Sequence, residues 1–560
     1  MKLFNFKIIV FFVFILIKRI VVCEDITLVP GPVTCDYSSK DSNENYDINT
    51  DTNINCEGSS CTVNGNGATI SNEQVTITTA GTFIIKGLLE GQIRIEAAKE
   101  DFIHLILENA TIKSNNGPAI YGVSADKVTL TLVGENTLSD SSNYTVVDEE
   151  PDACLFIDSD LTINGSGSLN VTGNYSDAIR CKSDLKIVNG NISVPSAVQR
   201  GIKAKNSICI KDGSLLDITS NNSALKVTRM DNPEKGFIVI DGGNIVISTT
   251  NDAIHAESHL TIRGGYIDIK SCKEGLEAQM IDILGGEIHI VSSDDGINAT
   301  KIAKKEDTNG NNMFGSMPAT GTDGSIYINI VGGKTYVTMT GMDVDGIDSN
   351  GVLYIGSEAQ VYISIEGDIY GNMAALDAEG SNAITSGSTI VIAASGMGGM
   401  GGMRGDFMDG GNGNRPSQPP NDSGNGNRPN QLSNDSGNGN QQNYPSPPNN
   451  DGFMNEGNRN PPNGSNMNMT PQFGESGKVY QPYIKTSINT QSAGTEITVK
   501  DTSGNVIVSY TPDVSYSNLL ITSPSMKAGE AYIINSGSES ITINASEESG
   551  TVNSPSVSSP

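Results

Sequence analysis

The chain has 560 residues, of which 36 % are hydrophobic and 5 % aromatic, tryptophan is absent, and its formal net charge is −29. This composition argues against a large conventional core, and the acidic balance argues against binding nucleic acid or anionic lipid, which basic surfaces recognise. The 62 glycines favour many short strands and tight turns, as in solenoids, where each turn buries few side chains.

Residues 1–23 have the outline of a secretory signal peptide, with Lys2 and Lys7 ahead of an apolar run from Ile8 to Ile17. The run is shorter than the roughly 20 apolar residues of a membrane span. We therefore predict a protein that is secreted or held at the extracellular surface, without stable membrane insertion. Retention as a signal anchor is the alternative, because Lys18 and Arg19 interrupt the usual cleavage region.

Residues 24–64 read as an irregular N-terminal region in which Cys35, Cys56 and Cys61 are expected to include one disulfide bond. The later cysteines lack the paired spacing of a zinc site, so we interpret them as small buried side chains or isolated bridges. They are Cys154, Cys181, Cys209 and Cys272. Asn-x-Ser/Thr sequons, Asn109 among them, are compatible with a secreted glycoprotein.

A short motif, a small residue followed by Ile or Leu, recurs along the chain. The motifs at 177–179, 200–202 and 223–225 follow one another at 23 residues, and those at 274–276 and 295–297 at 21. A period of about 22 residues, made of three short strands with Gly or Asn at the corners, predicts one turn of a parallel β-helix. A leucine-rich repeat would need its Leu/Asn spacing, and a propeller roughly 40 residues per blade.

The coils are predicted over residues 65–395. Residues 396–474, rich in Gly, Asn, Pro and Met, form a predicted disordered insert, because they can bury too little apolar surface to become ordered. Strand patterns return over 475–545 and predict a small C-terminal β cap on the open end of the solenoid. Residues 546–560 are a predicted disordered tail.

Outward-facing residues of the repeat predict two exposed ladders, because alternate side chains of a strand point to opposite faces. The first ladder reads Arg180, Lys203, Lys226, His255, Glu277, Asn298, Asp348 and Asp377. The second ladder reads Lys182, Lys205, Thr228, Glu257, Gln279, Thr300, Asn350 and Glu379. Both change from basic to acidic along the axis, and neighbouring like charges destabilise a sheet. Each half therefore requires counterions, nearby opposite charges or a ligand.

The basic half fits an acidic glycan such as polygalacturonate, whose carboxylates are evenly spaced. Its candidate ligand-binding residues are Arg180, Lys182, Lys203, Lys205 and Lys226. The alternative is that these long side chains simply solvate one face. The acidic residues fit Ca²⁺, which takes carboxylate and carbonyl oxygens. Its candidate ligands are Asp252, Glu274, Glu277, Asp294, Asp295, Asp343, Asp345, Asp348 and Asp377.

Four segments resemble a family of secreted carbohydrate-binding β-helix proteins first recognised in cellulose-degrading clostridia. They are 293–299, 345–351, 374–380 and the closing stretch 492–532, and the likeness extends from about residue 65 to 540. The resemblance implies a right-handed parallel β-helix similar to polysaccharide lyases, bound Ca²⁺, and affinity for polygalacturonic acid and cellulose. It implies no established catalysis.

Catalysis is the principal alternative to binding, since pectate lyases and polygalacturonases share this architecture. A lyase needs a base, often Arg, beside Ca²⁺, but Arg180, Arg200 and Arg263 belong to no recognisable signature. Asp294 and Asp295 form the carboxylate pair that a hydrolase needs, without the accompanying polygalacturonase segments. We predict a monomeric binder of acidic and cellulosic glycans, with a calcium-dependent pectate-lyase-like enzyme or a cell-surface coat protein as alternatives.

Two further predictions concern tyrosine and histidine side chains. Because tryptophan is absent, stacking on neutral sugars would depend on tyrosines such as Tyr121, Tyr266 or Tyr327, or on flat polar ladders. His255 and His289 have no Ser or Cys partner in the sequence and are expected at the surface.

Overall fold

The computed structural model describes residues 27–28, 31–145, 150–232, 234–301, 323–341, 344–370, 374–380, 382–396, 478–546 and 556–557. Every regular element in these ranges is a β-strand, which confirms the all-β class. No helix in this part of the chain is long and apolar enough to span a membrane. The predicted signal peptide and nearly all of the predicted insert and tail lie outside the described residues.

Most strands belong to three parallel stacks, which the chain visits in turn. One passage runs through Asp177–Cys181 in the first stack, Asp184–Ile187 in the second and Gly190–Ala197 in the third, then returns to the first at Ile202–Ala204. Because strands of one stack belong to successive passages, their pairing is parallel. An exception is Ala68–Ser71, which pairs antiparallel with Gln74–Ile77 at the start of the first stack.

The strand bounds of the stacks are as follows. The first stack has 14 strands in the spatial order Ala68–Ser71, Gln74–Ile77, Gln92–Glu96, Ile120–Ser124, Ala153–Ile157, Asp177–Cys181, Ile202–Ala204, Leu225–Val227, Ile254–His255, Leu276–Ala278, Ile297–Ala299, Ile347–Ser349, Ala374–Ala378 and Asp368–Tyr370. The second comprises Lys127–Val133, Asp160–Asn164, Asp184–Ile187, Ser207–Ile210, Phe237–Ile240, His259–Ile262, Met280–Ile283, Tyr327–Ile330, Val352–Ile355, Asn382–Ile384 and Lys478–Val479. The third comprises Glu135–Ser139, Ser168–Gly173, Gly190–Ala197, Ser214–Ser220, Asn244–Thr249, Tyr266–Cys272, Glu287–Ser292, Lys334–Met339, Gln360–Ile365 and Thr389–Ala394.

Further strands lie at both ends of the stacks. Thr52–Gly58, Ser60–Asn64 and Gly81–Leu89 precede Phe102–Lys113, which is long enough to pair with the first strands of both the second and third stacks. At the other end, Tyr516–Thr522 pairs antiparallel with Thr389–Ala394 and with Tyr483–Gln491, and so covers the edge of the third stack. An antiparallel sheet follows, with the strands Val506–Tyr510, Ile497–Asp501, Ala531–Ser536 and Glu539–Asn544, and Thr27–Leu28 pairs with Ser556–Val557.

The register of the first stack matches the alignment of the sequence motif. Ile179 pairs with Ile202, Ile202 with Leu225, and Ile254 with Leu276. The spacing is not uniform, since Ile297 pairs with Ile347 across 50 residues, so a coil of about 22 residues describes only some passages. The right-handed winding stays a prediction.

The interior is filled by rows of aliphatic side chains from the three stacks. Ile179, Ile202, Leu225 and their counterparts are completely buried. Where the residue before them is glycine, a larger residue would not fit, because the chain there lies against the third stack. A Cβ at Gly275 would lie 2.6 Å from Cγ2 of Ile290, closer than real Cβ contacts come. The motif thus lies where the first and third stacks approach each other.

An N-terminal segment, residues 31–45, lies across the outside of the second stack. Cys35 is bonded to Cys209, and Cys56 to Cys61, so the predicted N-terminal disulfide is present and a second one joins this segment to the stack. Asp41 is fully buried and accepts hydrogen bonds from Lys127 and Thr162. Cys154, Cys181 and Cys272 are buried free thiols, which agrees with the interpretation as small buried side chains, whereas Cys209 forms a bridge.

Replacing Ile245 in the third stack by alanine should lower the free energy of unfolding by about 2–5 kcal/mol, because stacked passages cannot collapse into the space that is left. Urea unfolding followed by circular dichroism measures the change. Leu215→Ala is the matched control, since Leu215 is 47 % exposed in the neighbouring strand and should cost less than about 0.5 kcal/mol. Equal losses would contradict a core made of inward rows.

Candidate functional site

The first ladder exists as a continuous row on the first stack. Pairing places Arg180 beside Lys203, Lys203 beside Lys226, and Lys226 beside His255. It continues from His255 to Glu277 and Asn298, and from there to Asp348 and Asp377. The order predicted from the sequence is therefore confirmed.

The expected exposure of this row is wrong. Its members are half-buried, and His255 is only 6 % exposed, so its assignment as a surface residue is corrected. Flanking side chains cause the burial, because Asp252 and Glu257 lie against the imidazole on either side. A half-buried charge loses part of its hydration, and for this reason the row depends on its partners.

Carboxylates of the chain itself neutralise the start of the row. Arg180 donates a hydrogen bond to Glu150 at 2.8 Å and forms an ion pair with Asp152. The Lys203 ammonium lies 3.7 Å from Asp152 and 3.6 Å from the fully buried Asp177. Burial lowers the pKa of Lys203 against the pull of these carboxylates.

The remaining predicted cations divide into paired and unpaired. Lys182 contacts Glu150 at 2.6 Å, and Lys226 lies 3.3 Å from Glu257. Lys205 is exposed and takes part in none of the ion pairs of the described residues. Four of the five candidate ligand-binding cations are thus engaged by carboxylates of the chain itself, so nearby opposite charges neutralise them, and their binding of a ligand stays a prediction.

His255 occupies the position where the row changes sign. Its Nδ1 lies 3.0 Å from Oδ2 of Asp252 and also contacts Oε2 of Glu277 on the next strand. Burial by itself would lower the pKa of His255, but the hydrogen bonds to Asp252 and Glu277 raise it to about 9. The ladder order predicted from the sequence placed Glu277 beside this ring, but it did not indicate the contact with Asp252.

The far end of the row is a crowded set of carboxylates. The Asp345 backbone NH donates to Asp295 at 3.0 Å, and Asn298 Nδ2 lies 3.3 Å from both Asp295 and Glu274. Among the described residues, Asp295, Asp348 and Asp377 form no ion pair. We call this set, Asp295, Asp345, Asp348, Asp377 and Glu379, the acidic end.

Carboxyl groups of the acidic end have raised pKa values. Burial, with the charges of Asp295 and Asp345, raises the pKa of Asp348 to about 8. Burial also raises the pKa of Asp295 to about 7, despite the hydrogen bond from the Asp345 backbone. Around neutral pH these groups bind protons that ordinary carboxyls have lost, and an oxygen-seeking cation could replace those protons.

The other predicted metal ligands that the structure describes have partners of their own. Glu274 and Asp294 are bridged by Lys273, whose ammonium is 2.9 Å from each. Asp252 and Glu277 contact His255. Asp343 lies outside the described residues.

One of the proposed sugar platforms is wrong. Tyr327 is completely buried, and its hydroxyl donates to Asp282 at 2.7 Å, so no ring face is available to a ligand. Tyr266 is 38 % exposed, whereas the guanidinium of Arg94 lies over the ring of Tyr121 at 4.8 Å. His289 is half-buried and stacks on Tyr336 at 4.5 Å.

Comparison with known proteins identifies relatives over the stacks. A family model described as carbohydrate-binding domain-containing protein matches residues 71–310. A protein of the same description from Acetivibrio thermocellus is 32 % identical over 227 residues, which are 40 % of this chain and 78 % of that protein. A solved structure, described as the polysaccharide lyase-like protein from C. thermocellum in a gadolinium derivative, is 30 % identical, with a TM-score of 0.37, and covers 43 % of this chain and 94 % of its own.

Without divalent cations, the stability contributed by protonated Asp348 should be complete below pH 4 and decline as pH rises through its raised pKa of about 8. As pH rises from 6 to 8.5, the thermal midpoint of the wild type should therefore decrease relative to that of Asp348→Asn, in which residue 348 cannot ionise. The difference in unfolding free energy should change by about 1 kcal/mol per pH unit.

Differential scanning calorimetry in excess chelator measures these midpoints. Asp217→Asn, an exposed carboxylate of the third stack, serves as the matched control and should follow the wild type at every pH. A wild-type curve parallel to that of Asp348→Asn would contradict the raised pKa.

Proposed function

Since this chain belongs to the carbohydrate-binding domain-containing family, we propose that it binds acidic polysaccharide of the polygalacturonate type in a calcium-dependent manner at the acidic end. The observation that carries the proposal is the contrast between the two halves of the row. The basic half is neutralised within the chain, whereas Asp295, Asp348 and Asp377 have no cation among the described residues.

A polyuronate would meet repulsion from these carboxylates alone. Bound Ca²⁺ would supply positive charge and coordination positions, because it takes six to eight oxygens, more than side chains on a flat stack can provide. The chain's own part is to hold the carboxylates on successive strands about 4.8 Å apart, which is fixed by the sheet and requires no rearrangement on binding.

Lys205 supplements this arrangement. It is the exposed cation of the second ladder, and a uronate carboxylate reaching it would pair with an ammonium that has no partner among the described residues. Tyr266 offers a partly exposed ring for an uncharged sugar, and so for cellulose.

The proposal includes the wider setting predicted from the sequence. It places the protein outside the cell as a secreted, glycosylated monomer with a right-handed parallel β-helix. Binding without cleavage is preferred to a pectate-lyase-like activity, because the arginines that could act as a base are in ion pairs. Arg200 is paired with Asp177, and Arg263 lies 3.0 Å from Asp241.

Polygalacturonate should bind the purified protein in millimolar Ca²⁺ and dissociate on addition of excess chelator, without release of unsaturated product absorbing at 235 nm. Isothermal titration calorimetry gives the affinity, and absorbance gives the product. Asp348→Asn should weaken binding at least about tenfold, because one charged oxygen ligand is lost.

Two further variants distinguish binding through Ca²⁺ from direct binding by cations of the chain. Asp217→Asn makes the same change of charge on the third stack and should bind as the wild type does. Loss of binding in Lys205→Ala together with full binding in chelator would overturn the calcium-dependent proposal in favour of direct recognition by cations. Product at 235 nm would make the protein a lyase, and absence of binding would favour a coat protein.

A further inference from the structure

The centre of the first ladder holds a second group of potential ligands, separate from the acidic end. His255 ends the short strand Ile254–His255, Asp252 lies three residues earlier, and Glu277 is the register partner of His255 on the next strand. Both carboxylates contact the same imidazole nitrogen, Nδ1. The three side chains therefore converge on one point at the face of the stack.

The convergence has the dimensions of a metal site. One ligand atom from each residue can be chosen so that all three lie within 4.8 Å of one another. Ligands at about 2.0–2.2 Å from a tetrahedral ion are roughly 3–4 Å apart, so little movement is needed to enclose an ion. In the part of the chain that the structure describes, no other three His, Cys, Asp or Glu residues converge in this way.

The donor set selects the class of metal. An imidazole nitrogen with two carboxylates suits zinc and similar first-row ions, whereas Ca²⁺ prefers oxygen ligands alone. We propose that Asp252, His255 and Glu277 bind a zinc-type divalent ion, independently of the calcium-dependent function proposed for the acidic end. Three protein ligands leave a fourth position for water or a ligand oxygen.

Orphaned polar atoms around the imidazole provide independent support. His255 Nε2 and Glu257 Oε2 are buried and have no hydrogen-bond partner among the described residues, and the Glu257 side chain is only 7 % exposed. Nε2 lies 3.7 Å from the other oxygen of Glu257. Histidine ligands commonly donate their second nitrogen to a carboxylate, and Glu257 stands where that partner is required once Nδ1 is occupied.

The test is a zinc titration of the purified full chain after removal of metals, in competition with a chromophoric chelator and with millimolar Ca²⁺ present throughout. The wild type should bind one Zn²⁺ at this site. His255→Gln should weaken binding by more than about tenfold, because the only nitrogen ligand is lost.

His289→Gln is the matched control, because His289 also contacts a carboxylate, Glu287 at 3.0 Å, but belongs to the third stack. It should bind Zn²⁺ as the wild type does. If His255→Gln does not fold, Glu277→Gln replaces it, and a zinc-dependent rise in the thermal midpoint of the wild type that Glu277→Gln lacks supports the site.

Two results would overturn the proposal: no binding of Zn²⁺ by the wild type in the presence of Ca²⁺, or equal binding by the wild type and the His255 or Glu277 variant. No polysaccharide is present in this titration. Failure of polygalacturonate binding therefore leaves the zinc result intact, and failure to bind zinc leaves the calcium-dependent proposal to its own test.

Discussion

The in-register stacking of buried aliphatic residues is the constraint on which the rest of the molecule depends. Ile179, Ile202 and Leu225 occupy the same position on successive strands, and a slip of one residue would turn each of them outward. Burying such side chains contributes about 1.5–3 kcal/mol each, so the aliphatic residues determine the register and the charged residues have to follow it. The polar residues that follow them are then forced into rows, whatever their sign.

This register places like charges on adjacent strands of the first stack. Like charges on adjacent strands repel, and the chain resolves this repulsion differently along the axis. Around Arg180 and Lys203, Asp152 and the buried Asp177 provide opposite charge. At Asp348 no such partner stands among the described residues, and the repulsion appears as a raised pKa. The proposed calcium-dependent binding rests on this repulsion.

The outer surface is partly occupied by the chain itself. The 31–45 segment lies on the second stack through the Cys35–Cys209 bond and the buried contacts of Asp41, and Tyr516–Thr522 covers the last strand of the third stack. On the first stack, Glu150 and Asp152 cover the basic half of the row. Both candidate sites lie farther along that stack.

The sequence by itself determined the all-β class, the parallel pairing of the motifs and the order of the first ladder, because a repeat with alternating burial dictates which residues share a row. It could not determine the partners. Glu150 reaches Lys182 from a separate passage, Cys35 and Cys209 are 174 residues apart, and the burial of Tyr327 depends on the packing of distant segments. Pairing, burial and pKa depend on connections whose lengths vary between passages, so only the tertiary structure decided which charges are neutralised and which remain available.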